Sequence, residues 1–176
     1  SPAEGLTLED KARTTALLLR AGATIHEMNA VRKHLSRLKG GGLARASFPA
    51  RVATLVLSDV VGDDLSTIAS GPTVPDTSTF ADACAIVDRF GIWDRLPTSV
   101  AQRLRDGRAG KIADTPKPGD PLFERVHTVV VASNELAADA GVRQAQREGL
   151  AATVLTTYVE GEAREVAKVV AAFARE

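Results

Sequence analysis

Apolar residues along the chain follow two periodicities, and each predicts a different kind of element. Short aliphatic and β-branched runs predict three strands, over Val52–Leu57, Val126–Val131 and Ala152–Thr156. These runs are nearly continuous, which is typical of strands that are covered on both faces of a sheet. Apolar residues three and four positions apart predict helices over about 8–20, 25–38, 77–90, 98–106, 135–147 and 162–174. Capping boxes at Thr7 and Thr24 predict where the first two helices begin.

The order of these elements predicts the fold class. The last two strands alternate with helices, an order that favours parallel strands joined by right-handed crossovers. We therefore expect an α/β fold of the Rossmann-like type, with three α/β/α layers and a mainly parallel sheet. Three strands are few for such a sheet. We expect residues 1–176 to be a single, incomplete segment of a larger α/β domain.

Four polar residues follow the first predicted strand and are the strongest candidates for chemistry. Ser58 and Asp59 lie at its carboxyl end, where open α/β sheets bind their ligands, and Asp63 and Asp64 follow one turn later. Carboxylates at such a place hold Mg²⁺ or accept a proton from a substrate hydroxyl. Aspartates also cap helices and close turns, and the residues alone leave both interpretations open.

A second candidate segment, Ile68 to Asp76, combines hydroxyl groups with glycine and proline. Ser70 and Thr73 offer hydroxyl groups, and Gly71 can take a positive φ that lets a ligand approach the backbone. The alternative, which the residues favour slightly, is a rigid proline turn leading to a helix that Asp76 caps.

The second predicted helix has one apolar and one polar face. The apolar stripe comprises Met28, Val31, Leu35 and Leu38. The polar face comprises Asn29, Arg32, Lys33 and Ser36. Plain solvent exposure is the simpler explanation of the polar face, and an anion-binding surface is the functional one. In the second case Arg32, or Lys39 just beyond the helix, meets phosphate or carboxylate.

A further candidate is the start of the helix that follows the second strand, at Ser133 and Asn134. The unpaired backbone N–H groups and the dipole of such a helix suit a bound phosphate. Simple N-capping by either residue explains the same sequence, and the spacing does not separate the two interpretations.

Composition narrows the class of protein. The 176 residues are 44% hydrophobic and 25% charged, with 22 basic and 22 acidic side chains. A net charge of zero argues against nucleic acid as a partner, and no apolar run approaches the roughly 20 residues that cross a bilayer. The single cysteine, Cys84, fits a place in the core and a reducing compartment, so we expect a cytoplasmic protein. No Gly-x-Gly-x-x-Gly follows a predicted strand, which weakens any prediction of dinucleotide binding.

Several of these segments together resemble the MOFRL-type glycerate kinases. The resemblance lies in Asn29-Ala30-Val31-Arg32-Lys33-His34-Leu35-Ser36 with Lys39-Gly40-Gly41, in Leu57-Ser58-Asp59-Val60 with Gly62-Asp63-Asp64, and in Ile68 to Asp76. It implies that the chain is part of the larger, Rossmann-like domain of such an enzyme. The earlier part of that domain and the C-terminal MOFRL domain are expected to be missing from this sequence. Enzymes of this family transfer phosphate from ATP to D-glycerate with Mg²⁺, and some carry the older label hydroxypyruvate reductase.

The resemblance also implies roles for the candidate residues in moving the γ-phosphate of ATP to the 2-hydroxyl of D-glycerate, which gives 2-phosphoglycerate. Asp59 orients or deprotonates that hydroxyl, or holds Mg²⁺, while Asp63 and Asp64 support the metal. The substrate-binding candidates are Arg32, Lys39, Ser58, Ser70, Gly71 and Thr73. Ser133 and Asn134 are the candidates for binding ATP.

Two other functions stay open on the sequence alone. An NAD(P)H-dependent hydroxypyruvate reductase shares the three-carbon substrate, although the chain lacks a dinucleotide fingerprint. A non-catalytic binding domain fits an isolated segment, although a cluster of carboxylates beyond a strand end favours chemistry. We expect D-glycerate as the small-molecule partner, with no nucleic acid and no membrane, and the sequence leaves a homodimer open.

Overall fold

The structure is a computed structural model of the chain and describes residues 1–159 and 161–173. Within these residues it contains seven α-helices and two β-strands. The helices are α1 (Leu8–Arg20), α2 (Ile25–His34), α3 (Gly42–Ser47), α4 (Phe80–Arg89), α5 (Thr98–Arg108), α6 (Asn134–Arg147) and α7 (Ala163–Phe173). The strands are β1 (Val52–Leu57) and β2 (Val126–Ala132). The last predicted helix extended to Ala174, which lies outside the described residues.

Both predicted capping boxes are confirmed. The Thr7 hydroxyl accepts a hydrogen bond from the N–H of Asp10, and the Thr24 hydroxyl accepts one from the N–H of Glu27. The side chains of Asp10 and Glu27 in turn accept the backbone N–H of Thr7 and Thr24. The same device starts α4 at Thr79, so the prediction that Asp76 caps this helix is wrong. Asp76 has a buried ion-pair partner instead, described below.

Helix α2 is shorter than the apolar stripe predicts. It ends at His34, and Leu35 already leaves helical geometry at φ −99° and ψ 11°. The chain then pairs with the amino-terminal segment: the N–H of Ala3 donates to the carbonyl of Leu35 at 3.0 Å, and Ser36 forms an isolated antiparallel bridge with Pro2. Hydrogen bonds to a distant segment therefore replace the last predicted turn, which periodicity cannot anticipate.

The two strands pair as parallel neighbours, and the N–H of Ser58 prolongs the ladder by donating to the carbonyl of Ala132 at 2.8 Å. The predicted α/β class with a parallel sheet is confirmed. The predicted third strand at Ala152–Thr156 is wrong, because no neighbour in the described part of the chain pairs with it. An apolar run becomes a strand only where a partner supplies ladder hydrogen bonds.

The described residues form two compact units, of which the first comprises Ser1–Leu55 and Leu65–Val129. Its core lies among helices α1, α2, α4 and α5, where apolar side chains recur at helical spacing. The largest fully buried members are Leu18, Leu35, Ile92, Leu104, Val31, Val87 and Val100. Cys84 belongs to this core, as predicted.

The second unit comprises Val56–Asp64 and the described residues from Val130 onward. It carries the carboxyl ends of both strands together with α6 and α7. Many of its large apolar side chains are exposed, including Leu57 at 73% and Leu155 at 73%. None of the helices in the described ranges is long and apolar enough to cross a membrane.

Candidate functional site

Two segments of the first unit lie against each other. Residues 39–41 form one of them, the glycine loop, and residues 69–71 form the other, the left-handed turn. The N–H of Gly40 donates to the carbonyl of Ser70 at 2.9 Å, and the N–H of Gly41 donates to the carbonyl of Gly71 at 2.7 Å. Two predicted substrate-binding residues, Ser70 and Gly71, are thus joined by backbone to the loop that carries a third, Lys39.

This arrangement requires unusual backbone geometry. Ala69, Ser70 and Gly71 take φ values of 52°, 63° and 60° in succession, a region that only glycine enters without strain. Gly41, with φ 78°, has no room for a side chain, since a Cβ would lie 2.9 Å from the ring of Phe123 and 3.0 Å from the carbonyl of Val74. Strained backbone of this kind concentrates at ligand-binding and catalytic sites.

The ammonium group of Lys39 joins the two segments through its side chain. Its Nζ donates to the carbonyl of Ala69 at 2.7 Å and to the hydroxyl of Ser70 at 3.2 Å. Burial lowers the pKa of Lys39, and the neighbouring charges of Arg32 and Lys11 lower it further. Burial and Arg32 likewise lower the pKa of Lys11.

Lys11, Arg32 and Lys39 therefore form a group of like charges, which we call the cation cluster. In the described part of the chain, none of the three lies within ion-pair distance of a carboxylate. Like charges held together without a counter-ion attract an anion, and guanidinium and ammonium groups suit phosphate and carboxylate. The structure brings together the predicted residues Arg32, Lys39 and Ser70, and adds Lys11.

Asn29 connects the cation cluster to the left-handed turn. Its Oδ1 accepts hydrogen bonds from the Ser70 hydroxyl at 2.9 Å and from Arg32 Nη1 at 3.4 Å. Asn29 is 4% exposed, so the simple explanation of the polar face of α2 as solvent-exposed surface is wrong for this residue. Asn29 was missed as a site residue because sequence placed it on that face without showing what covers it.

Lys33, on the same face, is also buried and forms an ion pair with Asp76, with Nζ 3.1 Å from Oδ1. Asp76 accepts three further hydrogen bonds, from the backbone and hydroxyl of Ser78 and from the hydroxyl of Thr115. Burial by itself would raise the pKa of Asp76, but the bonds from Ser78, the charge of Lys33 and the bond from Thr115 together hold it below its usual value. A Cβ on Gly40 would lie 2.9 Å from Oδ2 of Asp76, so this pair lies directly against the glycine loop.

A second, half-buried polar group lies around Asp114, next to Thr115. Asp114 Oδ1 accepts from the backbone of Thr115 at 2.8 Å and from Lys117 Nζ at 3.1 Å, and it lies 2.8 Å from His34 Nε2. The other ring nitrogen of His34 lies 2.7 Å from the carbonyl of Ala30, so both ring nitrogens face acceptors. His34 is 1% exposed and packs against the ring of Phe80. It therefore supports the helix from inside.

A cavity of about 890 Å³ adjoins Lys39 in the first unit. Five basic side chains among the described residues line it: Lys33, Arg37, Lys39, Arg45 and Arg103. Glu4 is the one carboxylate residue among its described lining residues. The basic lining gives the surroundings of Lys39 a positive potential, which favours anionic ligands.

Thr73 is buried, and its hydroxyl accepts from the hydroxyl of Thr54, on β1, at 3.1 Å. This bond fastens the segment after Gly71 to the sheet. The Thr73 hydroxyl therefore has a hydrogen-bond partner within the protein.

In the second unit, Ser58 and Asp59 lie at the carboxyl end of β1, as predicted. Ser58 is buried, and its hydroxyl accepts the N–H of Val60 at 3.3 Å, which turns the chain away from the sheet. Asp59 is exposed and lines an open cavity of about 350 Å³. The exposed Asp59 therefore lies at the carboxyl ends of both strands.

The start of α6 lines the same cavity through Ser133 and Asn134. The Ser133 hydroxyl accepts the N–H of Leu136 at 3.2 Å and is the N-cap of the helix, whereas Asn134 is exposed. Capping thus accounts for Ser133. The structure places both residues beside Asp59, where the amino-terminal end of the helix favours negative charge.

Asp63 and Asp64 follow in the same unit. Asp63 takes φ 53° in a short turn closed by its own N–H to the carbonyl of Val60, and it lines a cavity of about 120 Å³ with Asn134 and Tyr158. No group of three or more His, Cys, Asp or Glu side chains in the described residues could hold a metal. Mg²⁺ in phosphoryl-transfer sites takes one or two carboxylates and fills its shell with water and phosphate oxygens, so one or two of Asp59, Asp63 and Asp64 would supply the type of donor that such an ion takes.

Comparisons with known proteins extend these observations. The family model described as "Domain of unknown function (DUF4147)" matches residues 1–105. A protein of Pyrococcus horikoshii named glycerate 2-kinase is 46% identical over 164 residues, which cover 93% of this chain and 36% of that protein. A protein of Agrobacterium vitis with hydroxypyruvate reductase in its name is 48% identical over 174 residues, covering 99% of this chain and 37% of that protein.

The fold is also found in a solved structure. The crystal structure of glycerate kinase from Thermotoga maritima matches with a TM-score of 0.81 and 38% identity, over 97% of this chain and 38% of that one. The chain therefore spans only 36% to 38% of the length of these three proteins.

Proposed function

The chain belongs to the DUF4147 family, and we propose that it is part of an ATP-dependent glycerate kinase. The observation that carries the proposal is the 46% identity to a glycerate 2-kinase over 93% of the chain. The proposed reaction moves the γ-phosphate of ATP to the 2-hydroxyl of D-glycerate and gives 2-phosphoglycerate and ADP. Residues 1–176 form one segment of the larger α/β domain of that enzyme, and a MOFRL domain follows in the full-length protein.

Asp59 is the proposed catalytic residue. Its exposed carboxylate at the carboxyl end of β1 supports a role at the 2-hydroxyl of glycerate. There it orients the hydroxyl and accepts its proton as the hydroxyl oxygen bonds to the γ-phosphorus and the bond to the ADP oxygen breaks. Its alternative role is as a ligand of Mg²⁺, with Asp63 and Asp64 as the further proposed ligands. Mg²⁺ supplies neutralisation of the phosphate charge when it is bound.

The cation cluster binds the anionic groups of the substrates. Arg32 and Lys39 have no carboxylate partner among the described residues, so their charges are available to phosphate or to the glycerate carboxylate. Ser70 and Gly71 form the turn beside Lys39, and Thr73 fastens the segment after that turn to β1. In the second unit Ser58 holds the turn after β1. All four are proposed substrate-binding residues. Ser133 and Asn134 bind ATP through the start of α6.

A hydroxypyruvate reductase is the second candidate, favoured by the name of the relative from Agrobacterium vitis at 48% identity. The absence of a Gly-x-Gly-x-x-Gly after a strand of this sequence counts against it. The cytoplasmic location and the homodimer stay predictions.

A product-resolved assay on the full-length protein tests both candidates. One reaction contains ATP, Mg²⁺ and D-glycerate, and the other contains NADH and hydroxypyruvate. We expect 2-phosphoglycerate in the first and no loss of NADH in the second. Consumption of NADH without formation of a phosphoglycerate would overturn the kinase proposal, and 3-phosphoglycerate as the product would correct the position of transfer.

A further inference from the structure

We propose that Asn29 is a ligand-binding residue whose side-chain amide nitrogen donates a hydrogen bond to an anionic oxygen, carboxylate or phosphoryl, of a ligand held by Arg32 and Lys39. The proposal rests on the proposed function for the identity of the ligand. Its geometry rests on the first unit alone.

The surroundings of Asn29 fix the orientation of its amide. Arg32 Nη1 lies 3.4 Å from Oδ1, and a guanidinium only donates hydrogen bonds. The oxygen of the Ser70 hydroxyl accepts a hydrogen bond from Lys39 Nζ, and the hydroxyl donates its own hydrogen to the same Oδ1, at 2.9 Å. Two donors therefore face the oxygen of the amide, and the Nδ2 group is directed elsewhere.

The Nδ2 group of Asn29 has no acceptor within hydrogen-bonding distance in the described residues. Asn29 is nevertheless 4% exposed, and no sealed polar side-chain atom in the described part of the protein lacks a partner. It follows that Nδ2 keeps a small exposed area. A nearly buried amide with unused N–H groups is unfavourable unless a ligand or water accepts from them.

The charges around this amide select the ligand. Lys39 has three N–H groups, of which two are used by Ala69 and Ser70. The third N–H of Lys39, the free N–H groups of Arg32 and the Nδ2 group of Asn29 all donate. With Lys11 adding positive charge, these unused donors suit an oxygen that carries negative charge.

The test is an Asn29→Asp variant of the full-length protein. Aspartate keeps the size of the side chain and the oxygen that accepts from Ser70 and Arg32, but it replaces the donating nitrogen by an anionic oxygen. We expect a rise of roughly tenfold to a hundredfold in the KM of one substrate. A rise for D-glycerate identifies a carboxylate as the acceptor, and a rise for ATP identifies a phosphoryl group.

Thr14→Val is the matched control. Thr14 is 1% exposed on α1, and its hydroxyl donates to the carbonyl of Asp10 at 2.7 Å, so the variant removes a buried hydroxyl whose hydrogen bond stays within its own helix. We expect it to lower Tm without changing either KM. If Asn29→Asp leaves both KM values unchanged, or changes them no more than Thr14→Val does, the proposal is overturned.

Thermal shifts separate this proposal from the proposed function. Inorganic phosphate and D-glycerate are each added to the full-length wild type and to the Asn29→Asp variant, and Tm is measured without turnover. A shift in wild type that the variant loses supports Asn29 as a binding residue even if no kinase activity is found. Equal shifts in both proteins, or none in wild type, overturn it.

Discussion

The ammonium nitrogen of Lys33 lies 3.1 Å from Oδ1 of Asp76, and both side chains are closed off from solvent, at 8% and 0% exposure. The pair joins α2 to the segment that follows the left-handed turn, and it lies directly beneath Gly40. A buried pair of this kind does not by itself add much stability, but the loss of one partner leaves an uncompensated charge in the interior.

Replacing Asp76 by Asn should therefore destabilise the protein strongly. We expect the free energy of unfolding to fall by about 3–5 kcal/mol, because Lys33 stays buried without a counter-ion. Urea unfolding of the full-length protein measures the change. Asp106→Asn is the control, since Asp106 pairs with the exposed Lys111, and it should change the free energy of unfolding far less. Equal effects of the two substitutions would show that burial of the Lys33–Asp76 pair adds nothing to the free-energy cost of breaking it.

Acid should weaken the same region. The pKa values of Asp76 and Asp114 lie below the usual value of about 3.9 for an aspartate. Burial opposes this in both, and for Asp114 the bonds from Lys117 and Thr115 and the nearby His34 overcome it. A carboxyl group whose pKa is lower in the folded than in the unfolded state stabilises the folded protein at pH values above the unfolded pKa. This stabilisation is lost as the pH falls through the folded pKa. The free energy of unfolding should thus hold between about pH 5 and 6 and decline below about pH 4. Asp76→Asn should make the free energy of unfolding decline less steeply below pH 4. An unchanged slope would show that Asp76 does not contribute to the loss of stability in acid.

The left-handed turn predicts opposite effects for two small substitutions. Ala69→Gly relieves an alanine at φ 52°, and we expect the free energy of unfolding to rise by up to about 1 kcal/mol. Gly71→Ala introduces a Cβ at φ 60°, 2.9 Å from Cγ2 of Val74, and should lower it. Chemical denaturation of both variants checks the pair. Similar effects of both would show that this backbone is not strained.

Cys84 should react slowly with thiol reagents in the folded protein. It is fully buried, its Sγ lies 3.4 Å from the carbonyl of Leu104, and burial raises the pKa of the thiol, which lowers the thiolate fraction. Labelling by a maleimide should become fast only when denaturant unfolds the chain. Rapid labelling of Cys84 without denaturant would contradict its place in the core.

Asp59→Asn should lower kcat for glycerate phosphorylation by a factor of roughly 10²–10⁴, as expected for removal of a general base. The fold should persist, because Asp59 is exposed and the turn after β1 is held by Ser58. Steady-state kinetics and Tm on the full-length protein measure both. Near-normal turnover would remove Asp59 from the mechanism.

The local elements could be predicted well from the sequence, because their determinants are local. The capping boxes at Thr7 and Thr24 fix helix starts, and the aliphatic runs at β1 and β2 give both strands nearly to the residue. The run at Ala152–Thr156 has the same composition as a strand, but a strand also needs a neighbour, and composition does not supply one. The end of α2 at His34 likewise depends on Pro2 and Ala3, which are distant in sequence.

The polar residues of the candidate site were harder to interpret, because their roles depend on what covers them. Arg32 and Lys39 were chosen for their charge, and the structure groups them with Ser70. Asn29 and Lys33 looked like solvated surface, although both are buried. Both are buried because the glycine loop and the left-handed turn, which have positive φ, cover this part of α2. The glycines of these loops indicate positive φ from the sequence, but nothing in the sequence indicates that Ala69 and Ser70 also have positive φ.

The backbone bonds between the glycine loop and the left-handed turn have a thermodynamic consequence. Lys39 and Ala69 are 30 residues apart, yet a ligand that orders one segment reduces the entropy of the other, so the two respond as one cooperative unit. We therefore expect a substitution at Ala69 to alter affinity at Lys39 through the backbone of the turn. By the same linkage, an anion bound at Lys39 will slow hydrogen exchange of the Gly40 and Gly41 amides.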